Sequence, residues 1–236
     1  MQGAKIQAQA SVVKLWETPI FLIKNPEHEI IKQGLIDHIC SLEKQQESSI
    51  QSELATNIKN NLSESHFQFL QEDDNQYVKH LTNFIGNASM QAIGSVNRRS
   101  WVEKYIAKGL KPTLEITESW YHVTRHAGAH GAHSHPNCSW CAVYYVDIGD
   151  TKEAEPDETP KPKGGYNVFY RPWLAGFHDA GSHYLDTTYR PDPEDGLLIL
   201  FPSYLMHAAE PYLGTEKNRI VVALNMRIAL DERENA

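Results

Sequence analysis

Two histidines one residue apart, in Ala132-His133-Ser134-His135-Pro136-Asn137, stand just ahead of a branched and aromatic run, Cys141-Ala142-Val143-Tyr144-Tyr145-Val146. Far downstream a second block reads Gly196-Leu197-Leu198-Ile199-Leu200-Phe201-Pro202-Ser203, then His207, then Arg219-Ile220-Val221-Val222-Ala223-Leu224-Asn225. Neutral imidazole is a ligand for iron, zinc, copper and nickel. Three imidazoles drawn together from these blocks would make one open metal site, and the later arginine would give it an anion-binding group. The chemistry on offer is that of a redox-active ion beside a bound dicarboxylate.

Strand parity sharpens the expectation. In an extended strand the side chains at i and i+2 share a face. His133 and His135 then point the same way, and counting on by twos adds Asn137, Ser139, Cys141, Val143 and Tyr145. The same count puts Arg219, Val221, Ala223 and Asn225 on one face. Arg219 and Tyr145 are therefore expected to project into the interior that holds the histidines. A guanidinium inside a β-sandwich is costly without an anion, and a ligand carboxylate gripped by both of its arms would supply one. Plainer readings stand beside each. Arg219 can pair with Glu210, Tyr145 can be a core aromatic, and His207 can cap a turn. Asn225 can donate to a substrate or satisfy a strand end.

Other residues of the right types lie nearby. His122, His126 and His130 crowd the approach; Gly128 and Gly131 disfavour a helix there, so they read as loop residues lining a mouth. Cys138-Ser139-Trp140-Cys141, beside His133 and His135, permits a four-ligand zinc site. An extended strand would send the two cysteines to opposite sides, and redox Cys-x-x-Cys pairs usually open a helix, so incidental thiols are expected. Arg171, His178 and Arg190 fall in the long connection between the two blocks. There a lid or substrate loop would lie, and together they are candidates for gripping an anionic substrate.

The elements that must position these groups show in the periodicity. Ile30, Ile31, Leu35, Ile39 and Leu42 form a helical stripe with Pro26 as a first-turn residue, and Tyr77, Val78, Leu81, Phe84, Ile85 and Ala88 form a second across Asp74 to Ala92. Ser95 to Lys108 is expected as a separate helix, and Gln45 to Asn61 as a loop or marginal helix. From Thr113 the period becomes two. Leu114 to Tyr121, Trp140 to Val146, Gly165 to Tyr170, Leu197 to Phe201 and Ile220 to Ile228 are strand candidates. Many short strands separated by loops point to a sandwich or jelly roll. Asp150 to Lys163 reads as a long acidic surface loop.

Bulk properties bound the answer. A chain of 236 residues can bury a core without disulfides, and three cysteines are no secreted framework. A formal charge of −8 argues against a nucleic-acid partner. Without a membrane span or signal-peptide core, a cytoplasmic protein is expected.

Together, the His-x-His-Pro turn, the Tyr-Tyr-Val strand and the Gly-x-Leu-x-x-Phe-Pro-Ser…His…Arg block resemble the 2-oxoglutarate- and Fe(II)-dependent oxygenases, most closely a bacterial and phage branch. The likeness covers roughly Ser119 to Asn225. It implies a double-stranded β-helix core, with His133 as the first metal ligand and His207 as the distal one. It implies that Arg219 salt-bridges the far carboxylate of 2-oxoglutarate, with Tyr145 hydrogen-bonding the same group. One departure stands out. The usual turn is His-x-Asp or His-x-Glu, and here the carboxylate position holds His135. A third imidazole leaves the site one negative charge short.

The reading is a mainly β protein with α. A double-stranded β-helix (jelly-roll, cupin-like) catalytic core spans 113–230, and an N-terminal helical region, 1–112, packs on it as part of a single domain. His133, His135 and His207 hold Fe(II), while Arg219, Tyr145 and Asn225 serve the cosubstrate, 2-oxoglutarate. With O2, the enzyme hydroxylates an unactivated C–H bond of a small-molecule or amino-acid-like substrate, possessing neither nucleic-acid nor membrane partners; a homodimer is plausible. Two alternatives stay open: a three-histidine iron dioxygenase that does not use 2-oxoglutarate, and a non-catalytic cupin-like metal-binding protein.

Overall fold

The runs rich in branched and aromatic residues are strands, and the 3.6-period stripes are helices. The computed structural model describes residues 17–49, 62–72, 74–104, 106–152, 161–172 and 187–232. In chain order these form β1 (Phe21–Lys24), α1 (His28–Ser49), β2 (Leu62–Glu64), α2 (Phe69–Glu72), α3 (Gln76–Lys104), β3 (Leu110–Thr124), β4 (His130–His133), β5 (Trp140–Asp147), β6 (Asn167–Tyr170), β7 (Thr188–Tyr189), β8 (Leu197–Pro202), β9 (His207–Ala209) and β10 (Arg219–Glu232). A short 3-10 turn, Ile106–Lys108, joins α3 to β3.

The strands make two antiparallel sheets, the layers of a jelly roll. The larger has the order β1-β8-β5-β10-β3-β2 and the smaller β4-β9-β6-β7. Both edges of the larger sheet, β1 and β2, come from the N-terminal region. Strands β5 and β8 and the first half of β10, 219–226, are buried on both faces, which explains their hydrophobic runs. Alternate residues serve different cores. Ala142, Tyr144, Leu198, Leu200, Val222 and Leu224 face the helices, meeting Ile31, Leu35, Ile39, Val78, Leu81 and Ile85. Cys141, Val143, Tyr145, Ile199, Phe201, Val221 and Ala223 face the second sheet. Burying one such large side chain contributes roughly 1.5–3 kcal/mol.

The helix starts are set by asparagines. Asn25 Oδ1 accepts the Glu27 N–H at 3.0 Å, while its amide donates to the Tyr144 hydroxyl at 3.0 Å, tying the start of α1 to the sheet. Pro26 lies in the turn ahead of His28 rather than in the first helical turn. Asn75 Oδ1 receives the Tyr77 N–H at 2.8 Å at the head of α3.

One difference from the sequence reading concerns Ser95 to Lys108. No separate helix begins there, because α3 runs unbroken to Lys104. Ile93 and Trp101 are eight residues apart, so both stay on the core-facing side, and Gly94 takes the Trp101 ring against its backbone. The stretch 45–49 belongs to α1, and the rest of Gln45–Asn61 lies outside the described residues. No helix among the described residues is long and apolar enough to cross a membrane.

Candidate metal centre

Strand pairing brings two of the histidines together. His133 ends β4 and faces His207, the first residue of β9, in the antiparallel ladder, with ring centroids 4.3 Å apart. His135 arrives differently. It lies beyond the end of β4, in a turn held by its own N–H donating to the Ser203 carbonyl at 3.1 Å and by Asn137 in the left-handed region at φ 60°. Strand parity therefore does not extend through His135 to Cys141. The turn still places the His135 ring 4.9 Å from that of His133 and 5.2 Å from that of His207. One ligand atom from each of the three lies within 4.8 Å of the others.

The second ring nitrogens explain how the imidazoles are presented. His133 Nδ1 donates to the Gly131 carbonyl at 2.7 Å, and His207 Nδ1 donates to the Leu205 carbonyl at 3.0 Å. A carbonyl can only accept, so each ring carries its proton on Nδ1 and keeps the Nε2 lone pair for a cation. Burial, reinforced by the neighbouring imidazoles, pushes His207 down to about 3 against the bond to Leu205, and His135 down to about 4, so these two rings stay neutral. Three imidazoles converging in this way fit a divalent transition metal.

Arg219 opens β10 and is 3% exposed. Its Nη2 donates to Asn167 Oδ1 at 3.3 Å, and its guanidinium lies over the Tyr145 ring, 5.1 Å from the centroid. Among the described residues its Nε has no hydrogen-bond partner, and neither do the buried Tyr145 hydroxyl and the Thr124 hydroxyl. Thr124 is the cross-strand partner of Arg219. Burial raises the Tyr145 pKa despite the adjacent guanidinium, so the phenol keeps its proton to donate. A buried cation beside unsatisfied hydroxyls on the metal side of the sheet fits an incoming carboxylate. Gly165, at φ 72°, makes the room: a Cβ there would come within 2.7 Å of Arg219 Cδ. Glu210 is not its partner, being bonded to Arg190 at 2.6 Å.

The other residues singled out by the sequence serve varied ends. Asn225 sits beside a β-bulge, donating to Glu118 at 2.7 Å and accepting from the Cys141 thiol at 3.3 Å, so its polar atoms are engaged within the chain. Cys138 precedes β5, so the expected opposite orientation does not arise, and its Sγ meets that of Cys141 at 3.7 Å. His122 is a buried residue of β3 and His130 the first residue of β4, which corrects their reading as loop residues; His126 lies in the turn between. Arg171 is half-buried at the end of β6, and His178 falls outside the described residues. Sequence reasoning missed Asn167, Thr124 and Trp120. The first was legible as an alternate position in a predicted strand, and Trp120 closes the pocket beside His135, with rings 5.8 Å apart.

Residues 118–225 match the family described as "Putative 2OG-Fe(II) oxygenase", a segment that holds all three histidines and Arg219. That segment is similar to the 2-oxoglutarate- and Fe(II)-dependent oxygenases, enzymes that use Fe(II), 2-oxoglutarate and O2. No curated protein matches. Among solved structures, the fold is similar to AviO1 from Streptomyces viridochromogenes Tue57, at 10% identity and a TM-score of 0.52, covering 88% of this chain and 90% of that one. It is also similar to a prolyl hydroxylase from Trichoplax adhaerens, solved with a hypoxia inducible factor peptide fragment, at 14% identity and a TM-score of 0.51, covering 87% and 82%. A third likeness is to the non-heme monooxygenase ThoJ, solved with nickel, at 13% identity and a TM-score of 0.50, covering 91% and 75%.

Proposed function

We propose that His133, His135 and His207 hold the ferrous ion of this oxygenase, that Arg219 and Tyr145 take the far carboxylate of 2-oxoglutarate, and that the reaction is hydroxylation of an unactivated C–H bond in a small-molecule or amino-acid-like substrate. The observation that carries this reading is Arg219: a guanidinium almost wholly buried, with an unpartnered Nε, in a pocket that the three imidazoles also line. Iron and 2-oxoglutarate, when bound, supply the power to split O2, one oxygen leaving in succinate and the other going to the substrate.

The chain supplies placement and dryness. The carbonyls of Gly131 and Leu205 hold the His133 and His207 rings at fixed tautomers. The Ser203 carbonyl pins the turn that carries His135. Arg219 fixes the cosubstrate by its distal end, so that the reacting end is presented to the metal. Val143, Phe201, Val221 and Ala223 line the pocket and exclude water from it. Nothing in this arrangement asks a protein side chain to form a covalent bond with the substrate.

Coupled turnover tests the proposal. Purified enzyme, given Fe(II), 2-oxoglutarate and oxygen, should release succinate. Arg219→Ala should raise the 2-oxoglutarate concentration needed for half-maximal succinate release while retaining the metal. Succinate release indifferent to loss of Arg219 would refute the assigned cosubstrate site.

A further inference from the structure

The three-imidazole set leaves an electrostatic gap. Where the family carries a carboxylate ligand this chain has His135, and among the described residues none that lines the pocket is an acid. One carboxylate nevertheless reaches the pocket wall from outside. Glu64 ends β2, directly across from His122 on β3, and its Oε2 lies 2.5 Å from His122 Nε2. The His122 side chain is 9% exposed and lines the pocket. Its ring is 5.6 Å from that of His130, and the His130 ring is 4.2 Å from that of His133. A continuous row, Glu64–His122–His130–His133, thus runs from the edge of the larger sheet to the metal position.

We infer that Glu64 is a positioning residue of the metal centre: its carboxylate, carried inward through His122 and His130, supplies the negative charge that the ligand set lacks and braces the His133 side of the site. This rests on the reading of His133, His135 and His207 as ligands. A hydrogen bond that only closed the β2–β3 edge would require neither the imidazole row nor a pocket-lining partner. The local field agrees. Burial works against ionisation of Glu64, yet the bond from His122, with the His122, His130 and His133 rings nearby, keeps its pKa below the ordinary value.

Glu64→Gln is the discriminating variant, because the amide oxygen still accepts from His122 while the charge is gone. Co(II) affinity, measured by chelator competition without cosubstrate, should fall roughly 10–100-fold, the usual cost of losing an outer-shell carboxylate partner, and the melting temperature of the metal-free protein should hold. His135→Asp returns a charge to the centre. In that background the same Glu64→Gln change should cost roughly threefold or less, a coupling that a purely structural bond would not show. Equal losses in both backgrounds, or no loss in either, overturn the inference while His133→Ala still abolishes Co(II) binding. If His133→Ala binds Co(II) like the native chain, the ligand assignment itself has failed, and the role of Glu64 falls with it.

Discussion

His207 stands directly across from His133 in the β4–β9 ladder, and each of the two rings is turned by a backbone carbonyl so that Nε2 is free. Two of the three imidazoles are thus fixed by strand register, while His135 is fixed only by a turn.

His135 is the position to exchange first. His135→Ala should weaken iron retention by at least about 10-fold, since losing a ligand costs no less than losing an outer partner. His135→Asp should retain iron as well as the native chain or better, because it adds the missing charge. Iron per chain after desalting against a weak chelator reads both, and unchanged content in both variants would remove His135 from the site.

Arg219→Ala should raise the KM for 2-oxoglutarate roughly 10–100-fold, as expected for about 1.5–3 kcal/mol of hydrogen bonding to a charged group. Arg219→Lys should fall between, because an ammonium keeps the charge and loses the planar fork. Steady-state kinetics at saturating iron separates the three proteins.

Gly165→Ala tests the space left for that arginine. The new methyl would meet Arg219 Cδ and would also sit at φ 72°, so the variant should lose about 1 kcal/mol or more of stability. Its KM for 2-oxoglutarate should rise with metal content unchanged. Thermal melts and kinetics together check this.

Cys138→Ser and Cys141→Ser should leave metal stoichiometry unchanged. The two sulfurs touch one another and Cys141 bonds Asn225, while among the described residues the converging metal set consists of histidines. Elemental analysis decides the matter, and loss of metal in either variant would reinstate the zinc reading of the Cys-x-x-Cys.

How much of this was legible from sequence depends on regularity. Period-two alternation fixes a shared face wherever a strand runs straight, so the common face of Arg219 and Val221 was readable; Tyr145 also faces inward, although the count from His133 that put it there breaks at Asn137. The convergence of His135 was not derivable from parity, since Asn137 adopts a left-handed conformation and breaks the strand. The same break turns Cys138 toward Cys141. The His122–Glu64 contact joins residues 58 positions apart through a three-residue edge strand, too short to leave a periodic signal. The unbroken course of α3 past Ala92 depends on Trp101 packing against the core, a tertiary fact.

Acid should open the loop after β9 before it reaches the core. The Asp150 carboxylate accepts from the backbone N–H groups of Thr215, Glu216 and Lys217 at 2.7, 2.9 and 2.9 Å. The bond from Glu216, with those from Thr215 and Lys217, depresses its pKa against the effect of burial. A depressed carboxyl stabilises the fold at pH values above its unfolded pKa and loses that contribution as the pH falls through the folded value. Asp150→Asn should therefore melt lower at neutral pH, by the equivalent of about 2 kcal/mol, and the gap to the native chain should narrow on acidification below the ordinary carboxyl range. A gap that stays constant with pH would contradict this assignment.

The most direct test of the central claim is an anaerobic visible titration of the native chain with Fe(II) and then 2-oxoglutarate. A charge-transfer band should appear only when both are present and should saturate at one iron per chain. It should be lost in His207→Ala and require more 2-oxoglutarate in Arg219→Ala. Iron that binds without any band on adding 2-oxoglutarate, or a band undisturbed by loss of His207, would contradict the account.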